Sequence, residues 1–377
     1  MIHRFPKYYK DFVCTADACR DNCCRTNWDI EIDDDTLGRY ESAPDDIRDK
    51  LKAAVFLKDE VPVFKKRRGG CVWLDDKGLC SLYGEYGECY QSDVCRLFPR
   101  FSEYYGNIKE SGIGLSCEEA ARIIFTCEDD AALLEEEISE EEYISSDYDP
   151  GLAKIIFRMR DILMHITCIP DTNNEALVIT LNRICAEFQD YIDEYREGGE
   201  DEILAKLSGM EDRFTWESIN ETEIGPDAVL SKADEVFTFF SELPDIRRGF
   251  DEVLESIGKR LEDEDIRQNI GDRVGTFDLY MYDNGRYGDY KRFMRYILFR
   301  YFAKAVYDRD VILKGKMLIS FYSFLKLYDF VRWFKNKKSF KLKDRISTAK
   351  IFSGEIEYSE DNMQQLFEDF LFDDGEF

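Results

Sequence analysis

In the second half of the chain apolar residues recur at three- and four-residue intervals, the period of a helix with one buried face. Met294, Ile297, Leu298, Tyr301, Phe302 and Ala305 form the clearest stripe. They predict a helix over 290–307 whose stripe is bundle core, with Arg292, Arg295 and Lys304 lying off it. Residues 175–197 are periodic and stop at Gly198-Gly199, and 311–334 predict a further helix or a pair. Asp149-Pro150 reads as a helix start, with Asp as the cap and Pro at the first helical position. The first third of the chain follows another rhythm. Trp28, Ile30 and Ile32 alternate with polar residues, as in a half-buried strand. Residues 71–80 predict a short hairpin turning at Asp76 to Gly78, and 101–113 a second one around Gly106-Asn107.

These patterns predict a mainly α protein. A small irregular α+β domain at the N-terminus, rich in cysteine and held partly by metal, precedes a larger all-helical C-terminal domain. Between Glu128 and Asp149 there are 11 acids and no Lys or Arg, the composition of a solvated face or linker. The expected divisions are therefore 1–127 for the cysteine domain, 128–149 for an acidic linker and 150–377 for the helical domain. The tail from Ile351 to Phe377 carries nine acids and no base, which predicts a mobile end.

Charge narrows the partners. The 377 residues carry a net charge of -28, from 79 acids against 51 bases. The basic runs, Lys65 to Arg68 and Lys335 to Lys338, are too short for a phosphate-binding surface, so no nucleic-acid partner is expected. No apolar run of signal-peptide length opens the chain, and Lys314, Lys316, Lys326 and Arg332 interrupt the apolar stretch 311–334. No membrane association and a cytoplasmic location are expected. Disulfides seldom persist there, so twelve cysteines point to metal ligation more than to cross-links. The two histidines, His3 and His165, argue against histidine-based catalysis, and His165 is expected in the helical core.

Ten cysteines lie between Cys14 and Cys127; Cys168 and Cys185 are expected to be small core residues. The spacing runs Cys14-x4-Cys19-x3-Cys23-Cys24, then Cys71-x8-Cys80-x14-Cys95-x21-Cys117, with Cys89 and Cys127 as extras. Thiolates suit zinc and iron–sulfur clusters alike. A structural zinc usually takes two CxxC knuckles and the chain has none, which tilts the reading toward iron–sulfur. Ser116 and Glu119 read as a capping box that sets Cys117 in a first helical turn, where the dipole favours its thiolate. Adjacent Cys23 and Cys24 point opposite ways in extended backbone, so both ligate one ion only across a turn.

The stretches CTADACRDNCCRTNWDIEID, GGCVWLDDKGLCSLYGEYGECYQSDVCRLFPR and GLSCEEAARIIF resemble three blocks of the flagellin lysine-N-methylase family. The first two also resemble a broader set of cysteine-cluster proteins described as iron- or zinc-binding, through Cys71, Leu74, Cys80, Tyr83, Cys95, Arg96 and Pro99. The likeness is specific over about residues 10–127. Beyond them the aromatic stretch DLYMYDNGRYGDYKRFMRYILFRYF is similar in character. The resemblance implies methyl transfer from S-adenosylmethionine to lysine ε-nitrogens of flagellin, and a 4Fe–4S cluster. Its carried-over positions are Cys14, Cys19, Cys23, Cys24, Cys71, Cys80, Cys95 and Cys117. These exceed the four thiolates of one cubane, so some are packing residues, ligands of a second metal or redox partners.

Two common S-adenosylmethionine motifs are missing. Gly112-Ile-Gly114 is the one G-x-G and lacks a third glycine in register, so a simple turn is the better reading. Cys19-x3-Cys23 matches half of the three-cysteine radical arrangement, but Thr26 stands at the next required position. The cysteine centre would either hold the N-terminal loops or bind the amino and carboxylate groups of the methionine moiety through an open iron. Tyr83, Tyr104 and Tyr105 are candidate walls for a lysine channel. Two functions from different classes follow: a protein lysine N-methyltransferase acting on flagellin, or a non-enzymatic iron- or zinc-binding scaffold.

Overall fold

The computed structural model describes the chain except residues 21, 26–28, 68, 129–130, 141–147, 223–225, 247 and 373–377, and the side chains of 226–232, 248 and 371–372. It is mainly helical, with its small sheets in the N-terminal third. Trp28 of the expected strand, part of the acidic stretch and the expected mobile end fall outside the described residues.

Helix starts follow their capping residues. Asp149 accepts the amides of Gly151 and Leu152 and opens Pro150–Thr167. Asn173 accepts those of Glu175 and Ala176 and opens Asn174–Glu194. Asp310 caps Val311–Lys335, one unbroken helix. That helix is buried nearly all round, because the helices Asn174–Glu194, Pro226–Ser241, Arg248–Leu261, Asp289–Tyr301, Leu342–Glu355 and Glu360–Phe372 all pack on it. This explains its weak periodicity: a helix surrounded by others has no solvent stripe. The 290–307 stripe is core as expected, but its helix ends at Tyr301 and passes through a 3-10 turn. Arg295 is buried too, so the off-stripe face is not a solvent face. His165 and Cys168 are exposed rather than in the core, whereas Cys185 is fully buried.

The N-terminal third holds a four-stranded sheet in the order Arg100–Tyr105, Ile108–Ile113, Ile2–Pro6, Leu133–Glu137. The expected second hairpin turns at Gly106 with φ +58°. Ile2–Pro6 then runs parallel to Ile108–Ile113 and antiparallel to Leu133–Glu137. The last strand comes from the acidic stretch. It forms because the first strand supplies bases: His3 faces Glu136, and Arg4 meets Glu135 at 2.7 Å.

Two apolar cores organise these elements. The larger runs from Phe12 through the sheet and the helix Glu118–Thr126 to Phe370. The smaller consists of Ile32, Tyr40, Ala43, Leu51, Ala54, Phe64 and Leu82. The cores therefore cut across the 127/150 division: sheet and helices share one core, and a lobe of about residues 29–98 has its own. Glu110 on the sheet and Arg160 on the first long helix form a buried bidentate pair, both bonds 2.6 Å, that locks sheet to helices.

Candidate functional site

The predicted cysteines divide between the two cores. Cys71, Cys80 and Cys95 pack on the small core, and Cys117 packs on the large one. Local turns set each position. Asp75 accepts the amides of Lys77 and Leu79, and Gly78 takes φ +82°, which closes the expected hairpin between Cys71 and Cys80. Ser81 bonds back to the Trp73 carbonyl and holds Cys80 at the start of the short helix Ser81–Tyr86. Ser92 caps the helix Asp93–Leu97 by accepting the amide of Cys95. Asn22 accepts the Cys24 amide and donates to Gly78 O, which ties the first cysteine loop to that hairpin. Gly70 lies so close to Cys24 O that an added Cβ would sit 3.1 Å from it.

Electrostatics shows which sulfurs face one another. Cys24 feels Cys23, Cys95 and Cys71; Cys95 feels Cys71, Cys80 and Cys23; Cys117 feels Cys23 and Cys19. Five of the eight predicted cysteines, Cys23, Cys24, Cys71, Cys80 and Cys95, thus share one region, with Cys19 and Cys117 beside Cys23. Segments up to a hundred residues apart converge there. Cys14 is exposed, and its sulfur accepts the Ala16 amide at 3.4 Å. It makes no interaction with another cysteine among the described residues. Among those residues no group of three His, Cys, Asp or Glu side chains is spaced to hold a metal ion.

Burial sets the protonation of this region. It pushes the Cys95 thiol up to about 12 and Cys117 to about 11, and raises Cys71. Cys23 is the exception: the Cys24 thiol donates to its sulfur and, with Lys350 nearby, holds it at about 7, while Cys24 is driven up. Desolvated thiols that repel one another stay neutral until a cation arrives, and a thiophilic metal supplies that cation. Thiols are the donor type that zinc and iron–sulfur centres take, but Cys23, Cys24, Cys71, Cys80 and Cys95 are near one another without being spaced to hold an ion.

The capping of Cys117 differs from expectation. Cys117 is itself the N-cap of Glu118–Thr126, and no Ser116 capping bond forms. The Ala120 and Glu119 amides still favour its thiolate, against burial. Of the candidate tyrosines, Tyr105 is core, stacked on Tyr307, and Tyr104 lies under Lys109. Tyr83 stays exposed. Gly112-Ile-Gly114 packs instead of cradling phosphate: an added Cβ on Gly114 would meet the Tyr358 hydroxyl at 2.2 Å.

Sequence reasoning missed a cleft at the far end of the Glu118–Thr126 helix, lined by Tyr8, Cys127, Arg292 and Arg295 among others. The available signal was the pair Arg292 and Arg295, three apart on one face of the helix Asp289–Tyr301. The sequence placed them off the apolar stripe and nothing in it brought them to a cleft.

A mainly helical body with a thiol-gathering lobe is the class these features define. Residues 171–376, more than half of the chain, match the family model described as FliB lysine N-methylase C-terminal domain, and the chain belongs to this family. The lysine-N-methylase of Salmonella choleraesuis (strain SC-B67) is 26% identical over 163 residues, which cover 40% of this chain and 39% of that protein. The lysine-N-methylase of Salmonella typhimurium (strain LT2) aligns with the same figures. The flagellar biosynthetic protein FliU of Salmonella muenchen is 27% identical over 140 residues, 34% of this chain and 79% of FliU. The chain thus spans about two fifths of the length of the two methylases. No solved structure matches. Among the described residues no helix is long and apolar enough to cross a membrane.

Proposed function

We propose that the chain is a protein lysine N-methyltransferase that takes methyl from S-adenosylmethionine, acts on flagellin, and holds an iron–sulfur cluster among its N-terminal cysteines. The observation that carries this reading is the match of residues 171–376 to the lysine N-methylase domain. The names of the Salmonella relatives and the convergence of Cys23, Cys24, Cys71, Cys80 and Cys95 support it.

The reaction sets physical demands. A lysine ammonium has no lone pair, and deprotonating it at pH 7 costs about 4.6 kcal/mol, roughly 3.4 pKa units at 1.36 each. Desolvation and the positive sulfonium of the donor both lower that cost. The net charge of -28 would draw lysine-bearing partners toward the surface. When bound, the cluster would supply the cation that the buried thiols lack.

The test is transfer of label. Chain purified without oxygen, brown and with broad visible absorbance, is incubated with flagellin and methyl-labelled S-adenosylmethionine. Label on flagellin lysines is the expected result. No transfer from a cluster-replete sample would overturn the enzyme reading, and a colourless, zinc-loaded chain would overturn the choice of iron.

A further inference from the structure

The hairpin of Val55–Lys58 and Val61–Phe64 in the cysteine lobe leaves one strand edge open. It turns at Asp59-Glu60, with φ +48° and +71°, the primed turn that closes on a hydrogen-bonded pair, here Lys58 and Val61. Bonded and non-bonded pairs then alternate, so Leu57 faces Pro62, which has no N–H to give, and Val55 faces Phe64. Residues of non-bonded pairs point their N–H and C=O away from the hairpin. On the Val61–Phe64 side these groups are used: Pro62 O accepts Ile32 N at 2.9 Å, and Phe64 N donates to Ile30 O at 3.0 Å. On the other side, among the described residues, the N–H and C=O of Leu57 meet no partner. The surface around this edge is apolar, with Leu57 69% exposed, Val61 40% and Phe56 39%. Proteins usually blunt such an edge with a bulge, a Pro or an outward Lys. Here the pairing is unbroken, Val55–Lys58 contains no Pro, and Lys58 is drawn across to Asp29.

We propose that an extended segment of the protein substrate adds to this edge as a further strand. Leu57 then exchanges both backbone bonds with the incoming segment, while the side chains of Phe56 and Leu57, on opposite faces, flank it. Backbone pairing gives affinity without reading sequence, so specificity falls to the neighbouring side chains. Asp59 and Glu60 stand exposed at the tip, and among the described residues neither makes an ion pair. They offer two carboxylates to a Lys or Arg of the segment. A second copy of the chain would instead bring another net charge of -28 against the same acidic surface, which disfavours self-pairing. A lysine-bearing segment meets the opposite charge. Past Phe64 the chain runs through Lys66–Arg67, which pairs with Gly70–Cys71, so the docked segment lies on the lobe that carries Cys71. The assignment rests on the methyltransferase reading above and deepens it, by giving the lobe the task of gripping the substrate main chain.

The test follows amide hydrogen exchange of the full, metal-loaded chain with and without flagellin, by mass spectrometry resolved to single residues. Binding should slow exchange at Leu57 by about tenfold or more. Leu57→Pro removes the outward donor but no bond of the hairpin, since the Leu57 N–H points away from Val61–Phe64. It should weaken flagellin binding by about tenfold, through the lost bond and the obstructing ring. Leu57→Ala keeps the donor and should lose only about threefold. Thermal unfolding by circular dichroism checks that both variants fold, and if Leu57→Pro does not, the exchange of the wild type decides alone. Flagellin binding that leaves Leu57 exchange unchanged, or equal affinity for a folded Leu57→Pro, overturns the assignment and leaves the methyltransferase reading intact. A wild-type dimer in sedimentation that Leu57→Pro dissolves gives the edge to a second copy and also overturns it. No binding of flagellin by the wild type overturns both the assignment and flagellin as the substrate.

Discussion

The cysteine lobe and the helical body both bury groups that water would otherwise hold, but they neutralise them differently. The body provides its own counter-ions. Arg160 meets Glu110, Arg345 meets Asp329, Lys326 meets Glu175 and Asp278, and Glu357 meets Arg300. The lobe gathers thiols whose pKa burial, and then their neighbours' charge, raises, while Lys350 helps to lower that of Cys23. On the proposed cluster reading, its charge balance depends on a metal from outside the chain. The body should therefore be stable by itself, and the lobe should be conditional.

Metal removal is the strongest way to break this comparison. Structural metal contributes about 10–16 kcal/mol in small thiol sites, more than a seven-residue core supplies. Treating the loaded chain with a chelator should open the lobe, so that protease cuts fall within 29–98 while 150–372 resists. Mass spectrometry of the fragments reads this directly. Cuts spread evenly over both regions, or none in the lobe, would abolish the distinction.

The converse change targets the body. Glu110→Ala leaves the Arg160 guanidinium buried beside Phe157 and Phe299 without its bidentate partner. Breaking such a pair from one side costs about 3–5 kcal/mol. Urea denaturation followed by circular dichroism should show that loss, with little change in the metal content of the lobe. A cost below about 1 kcal/mol would mean that water or Arg4, 3.5 Å from Glu110, compensates.

The same contrast explains what was legible in the sequence. Helix starts at Asp149 and Asn173 were readable or close to it, because a cap is a local event. So were the two hairpins, whose turns need Gly78 and Gly106. The density of cysteines was legible, but which sulfurs lie near one another was not, because those loops are far apart in sequence. The buried charges were not. Arg295 and Lys326 are buried against partners that lie far along the chain, which no local pattern shows. Glu110 is 50 residues from Arg160, and Glu175 is 151 from Lys326. The acidic stretch misled for the same reason. Its strand depends on bases at Arg4 and Lys10, more than a hundred residues earlier.

The smallest predicted effect concerns the body group whose own partners do not win. Asp289 is fully buried against Arg345, Arg286 and Arg292, yet burial outweighs them and lifts its carboxyl to about 6. A raised acid holds its proton in the native state between about pH 4 and 6, where the unfolded chain has lost it. Stability from this group therefore falls as pH rises through that window, by up to about 3 kcal/mol for two units at 1.36 each. Asp289→Asn removes the titration, and the other carboxylates cancel in the difference between variant and wild type. The substitution should cost most near pH 4 and become nearly neutral at pH 7.5, as read from urea midpoints at the two pH values. A substitution most damaging at pH 7.5 would show that the arginines dominate after all. Asp289 would then belong with Glu110, as a buried charge matched from within the chain.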